Sequence, residues 1–140
     1  MSHRKPRVPR PDRVRSLSGT PFAWLDARLL RQRWVSRLGP EATAAYAFLC
    51  LAADRQGVSF YRHARISQAL GLPEERLVRA LGRLRELGLV AYAPFHRGAP
   101  DGYHQVLALP EAPPSELPDE LGERLRRIGR PASGPDLRQR

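Results

Sequence analysis

The sequence predicts a mainly α domain closed by a small β-hairpin, and three observations predict it. Apolar residues recur at three- and four-residue steps in blocks that glycine and proline separate, from Asp26 to Gly88. Two extended runs, Leu89–Phe95 and Tyr103–Leu109, then flank the turn-rich loop His96–Gly102. The 140 residues, with 14 prolines and 11 glycines, suffice for one domain with irregular tails. The expected division is a basic arm over 1–20, a domain over 21–110, and a Pro-rich linker with a short amphipathic helix and tail over 111–140.

The elements follow in order. Asp26 can cap a helix running to about Leu38, with Leu30, Trp34 and Leu38 at four-residue steps beside Leu29 and Val35. Gly39-Pro40-Glu41 ends that helix and opens another, because Pro fits a first turn and Glu favours its positive end. Ala42–Ala53 is almost wholly apolar, which predicts a central helix buried on most sides and stopped by Gly57. Cys50, on that helix, reads as a small core residue. Val58-Ser59-Phe60 is a short extended piece. A further helix runs to Leu70, with Ile66, Ala69 and Leu70 inward and Arg62, Arg65, Ser67 and Gln68 outward; Gly71 closes it.

Pro73-Glu74-Glu75 opens the next helix. Its inner stripe is Leu77, Ala80 or Leu81, Leu84 and Leu87, with Arg76, Arg79 and Arg83 expected on the opposite side and Gly88 at its end. Gly82 falls inside it, at a cost of about 1 kcal/mol relative to Ala. Of the two strands that follow, the first contains Pro94, which cannot donate to a ladder and so implies an edge or a bulge. Beyond Pro110, Leu117, Leu121, Leu125 and Ile128 form a near-helical stripe, suited to docking on its own domain, to a homodimer, or to a partner protein.

Charge narrows the function. The net charge is +10, of which +5 sits in Met1–Thr20, +5 in Pro21–Pro110 and none in Glu111–Arg140. Lys5 is the only lysine, so the positive charge is almost all guanidinium, which donates paired hydrogen bonds to phosphate and base edges. Coding bias in a GC-rich genome would account for Arg over Lys, but not for the excess of positive charge. The arm, with Arg4, Lys5, Arg7 and Arg10 among its prolines, is expected to be disordered in isolation and to act as an electrostatic accessory.

A helix, a short Gly-containing turn, a second helix with an arginine-lined face and a basic-looped hairpin make a winged helix-turn-helix. Such a helix fits the major groove, while the hairpin loop reaches adjacent phosphate or minor groove. The run Gly57-Val58-Ser59-Phe60, then Ile66-Ser67-Gln68-Ala69-Leu70-Gly71-Leu72, then Leu77-Val78-Arg79-Ala80-Leu81-Gly82-Arg83-Leu84-Arg85-Glu86-Leu87-Gly88-Leu89-Val90, resembles bacterial winged helix-turn-helix proteins. It is similar to the MarR-type regulators and closer to the helix-turn-helix segment of phage and plasmid replication initiators, whose Leu-Ser-Pro-type opening is matched by Leu38-Gly39-Pro40. The resemblance covers roughly Leu38 to Leu109. It implies Glu75, Arg76, Val78, Arg79 and Arg83 as groove-facing positions and Arg97 at the wing tip, with Arg62 and Arg65 on the preceding helix. The Ser or Thr that usually caps that helix is replaced near Arg62, so its start is expected to be looser or bound to phosphate.

The expected function is sequence-specific binding of double-stranded DNA by a small bacterial or mobile-element protein, in transcription regulation, replication or transposition. The alternatives are a winged-helix protein-interaction adaptor and an RNA-binding basic protein. No nucleophile stands beside a base, no Gly-rich loop cradles phosphate, and His63, His96 and His104 lack metal-ligand spacing. Neither catalysis nor a cofactor nor a metal is therefore expected. With no apolar run of membrane-spanning length, no signal-peptide core and a single Cys, the expected place is the cytoplasm.

Overall fold

The computed structural model describes residues 7–111; Arg4, Lys5 and the 117–128 stripe lie outside the described residues. A short 3-10 turn, Pro11–Arg13, is followed by α1 (Arg28–Arg31), α2 (Trp34–Ala52), β1 (Val58–Ser59), α3 (His63–Leu70), α4 (Glu74–Glu86), β2 (Val90–Pro94) and β3 (Gly102–Val106). The molecule is thus mainly helical with a small antiparallel sheet, in the strand order β1-β3-β2. That sheet has three strands where the sequence predicted only a hairpin, since Val58 pairs with Gln105 and Ser59 with His104. In the hairpin Val90 pairs with Val106 and Pro94 with Gly102, so Pro94 stands on an edge strand as its missing donor implied.

The first predicted helix is broken. Asp26 does start it, its Oδ1 accepting the Arg28 N–H at 2.9 Å, but Arg33 turns left-handed (φ 65°) and ends α1 after one turn. A non-glycine residue in that conformation costs about 1–2 kcal/mol, and its consequence is that the next residue, Trp34, is fully buried. The turn also rotates the stripe: Leu29 is buried and Leu30 is exposed, the reverse of the emphasis that four-residue spacing placed on Leu30. Gly39 (φ 83°, ψ 170°) leaves helical geometry just before Pro40, so α2 is two helical stretches meeting at a kink where Gly39-Pro40-Glu41 predicted one helix to end and another to begin.

The core is assembled on α2 and α4, the two helices in most extensive contact. Trp34, Leu38, Ala45, Tyr46 and Leu49 meet Ile66, Leu77, Leu81, Leu84, Leu89 and Leu109. Two apolar positions behave otherwise than predicted. Leu51, near the end of α2, is 72% exposed, the one exposed position in an otherwise buried or half-buried stretch from Ala42 to Ala52, and Ala69 of α3 is also exposed. Cys50 is half-buried against the core, and burial pushes its thiol above the usual range. Gly71, left-handed at φ 69°, closes α3, and its N–H donates to the Ser67 carbonyl. Among the described residues no helix is long and apolar enough to cross a membrane.

Candidate functional site

At 3.6 residues per turn α4 has four sides. Leu77, Ala80, Leu81 and Leu84 are sealed in the core. Diametrically opposite stand Glu75, Arg79, Gly82 and Glu86, while Arg76 and Arg83 lie on one flank and Val78 and Arg85 on the other. The expectation that Arg76, Arg79 and Arg83 share the side opposite the core therefore holds for Arg79 alone.

The flanking arginines are engaged by α2. Arg76 forms an ion pair with Glu41, and Arg83 donates from Nη2 to the Arg37 carbonyl at 3.3 Å. Arg83 Nη1 also stands 3.8 Å from a Glu86 carboxylate oxygen. A shallow cleft of about 600 Å³ between α2 and α4 brings together Glu75, Arg76, Arg79, Gly82 and Arg83. Both flank residues remain partly exposed, so they rim that cleft and are not sealed beneath it.

On the other flank Val78 is 47% exposed. Beside it runs Arg85, whose guanidinium carbon lies 5.0 Å from the Tyr92 ring centroid, within cation–π range. Arg85 was absent from the sequence-derived set. Its partner comes from β2, and spacing along α4 carries no signal for it.

Arg62 precedes α3 in extended conformation, and Arg65 lies in its first turn; both are exposed. The helix start is not loose, as the missing Ser or Thr suggested. Asp101, from the base of the hairpin loop, accepts the His63 backbone N–H at 2.7 Å through Oδ1, and so performs the capping from 38 positions away. The same carboxylate oxygen stands 3.5 Å from His63 Nδ1.

Behind this cap lies a buried polar cluster. His104 is 2% exposed, with its ring 5.8 Å from that of His63 and 5.0 Å from that of Tyr92. Burial, reinforced by interaction with His63 and Arg85 and opposed by Asp101, lowers its pKa to about 4, so the ring is neutral near pH 7. Among the described residues no three His, Cys, Asp or Glu side chains are grouped to hold a metal.

The hairpin loop is set by the Phe95 N–H donating to the Asp101 carbonyl at 3.0 Å, and by a turn closed between Ala99 N–H and the His96 carbonyl at 2.9 Å. That turn presents Arg97 at its first central position, exposed, before the left-handed Gly98. Phe95 and Tyr103 pack edge-to-face at 4.9 Å and stiffen its base. Arg7 and Arg10 of the arm are exposed, and Arg10 pairs with Asp12 at 2.8 Å.

No protein-family model, curated protein or solved structure matches this chain.

Proposed function

We propose that the chain is a winged helix-turn-helix protein that binds double-stranded DNA with sequence specificity. In this reading α3 crosses the phosphate backbone, α4 enters the major groove, and the β2–β3 hairpin is the wing. One observation carries it. Arg62 and Arg65 of the α3 region, Arg79 of α4 and Arg97 of the loop are exposed, and among the described residues none has a carboxylate partner. Four guanidinium groups so placed can displace condensed counterions from phosphate without first breaking an ion pair.

Arg79 is the residue best placed to read a base, since it alone of the α4 arginines opposes the core. Arg76, Val78, Arg83 and Glu75 supply the borders of that contact, with Arg76 exchanging Glu41 for phosphate on binding. The role that fits is a transcription regulator, or a replication or transposition accessory factor, of a bacterial or mobile element acting in the cytoplasm. The basic arm, with Arg4, Lys5, Arg7 and Arg10, adds sequence-independent affinity.

Selection from a random duplex library followed by gel-shift titration tests the reading. Retention should weaken steeply with salt, and Arg79→Ala should cost about 1–3 kcal/mol on the selected site only. Equal retention by the wild type and a variant lacking Arg62, Arg65, Arg79 and Arg97 refutes it, as does tighter binding to structured RNA at matched salt.

A further inference from the structure

The face of the molecule remote from α4 holds an open groove of about 420 Å³. Its walls are the segment before α1 (Phe22, Trp24), the end of α2 (Tyr46, Cys50, Leu51) and the stretch after β3 that ends in Leu109. Phe22 is 62% exposed, Trp24 76% and Leu51 72%. Three large apolar side chains around one concavity make a patch of the kind that soluble domains cover.

We infer that residues 117–128 of this same chain dock in this groove as an amphipathic helix. The occupant is indicated by where the described chain leads. Leu109 is itself buried in the groove wall, and the next apolar stripe begins at Leu117. Eight residues can span up to about 26 Å, enough to reach any part of the groove. Pro110 and Glu111, the last described residues, continue directly from that wall.

The chemistry matches as well. Leu117, Leu121, Leu125 and Ile128 offer one apolar stripe, while Asp119, Glu123 and Arg126 fall on the opposite side at helical spacing. A helix of about 12 residues is marginal alone in water and gains its stability from packing such a stripe. The groove accepts side chains and not a whole helix, so the helix lies across it with the stripe lowered in. Tethering by a short linker gives an effective concentration in the millimolar range, which favours the chain's own segment over a second copy.

Trp24 reports the outcome, because the other tryptophan, Trp34, is fully buried and contributes a constant background. In the full chain, acrylamide quenching of tryptophan emission is expected to be low. Leu121→Asp with Leu125→Asp should raise it severalfold and shift emission to the red, with the sedimentation coefficient still that of a monomer. A circular dichroism melt with an unchanged midpoint of the main transition shows that the domain remains folded in that variant. Equal quenching in the two chains overturns the inference. Protection of Trp24 that appears only as a dimer forms, or that survives both aspartates, overturns it too.

Discussion

The Asp101 carboxylate receives the backbone N–H of His63 at 2.7 Å, so the base of the hairpin loop caps α3. A single oxygen thereby fixes two elements that in the proposed complex must touch the duplex together. Asp101→Ala should destabilise the fold by about 1 kcal/mol, the usual cost of a lost N-cap. Asp101→Asn, which keeps an acceptor, should recover most of that loss in urea unfolding. Equal losses in the two variants would assign the effect to the charge and not to the cap.

His104 makes the fold acid-sensitive. Its pKa is about 4 in the folded chain against an ordinary 6.5, so between those values the unfolded chain binds the extra proton. Stability is therefore complete above pH 6.5 and is lost as pH falls through 4, by about 3 kcal/mol in total. His104→Leu should flatten this dependence at little cost near pH 7, because among the described residues the ring's buried Nδ1 has no hydrogen-bond partner to lose. Thermal melts across that range give the answer, and an unflattened profile would remove His104 as the cause.

Glu41 restrains Arg76. The pair is partly exposed, so Glu41→Gln should change stability by less than about 1 kcal/mol. Freed from its partner, Arg76 should strengthen duplex binding at low salt and raise the magnitude of the slope of log affinity against log salt by about 1. Salt titrations of both proteins on one duplex measure that slope, and identical slopes would leave Arg76 outside the contact.

Gly82 sits in helical conformation, with open space where a Cβ would be. Gly82→Ala should stabilise the chain by about 0.5–1 kcal/mol. Duplex affinity should fall at the same time, since the added methyl stands on the outward face beside Arg79. A more stable variant with unaltered affinity would place the duplex on another side of α4.

The pairing of α3 with α4 across Gly71 was legible because its signals are local. Gly71 takes the left-handed turn its position demanded, and Leu77, Ala80, Leu81 and Leu84 are buried as their spacing required. What escaped depends on contacts between distant segments. The left-handed Arg33 was unreadable because no local signal asks a non-glycine residue for that conformation, and with it went the choice between Leu29 and Leu30. The engagement of Arg76 and Arg83 by α2 follows from how two helices cross, and the cap on α3 from a carboxylate in another element. Of the proposed interface, the exposed Arg62, Arg65, Arg79 and Arg97 were legible, whereas the bonds that restrain their neighbours were not.

The hairpin also bears on how molecules of this protein avoid one another. With β3 in the middle, β2 offers one bare margin along which a foreign strand could zip. Phe95 spends its N–H on Asp101 across the hairpin, so alternation turns the preceding residue towards that margin, and the residue there is Pro94. Having no hydrogen to give, it leaves an incoming strand one rung short, a guard against fibrous self-association built from one imino acid.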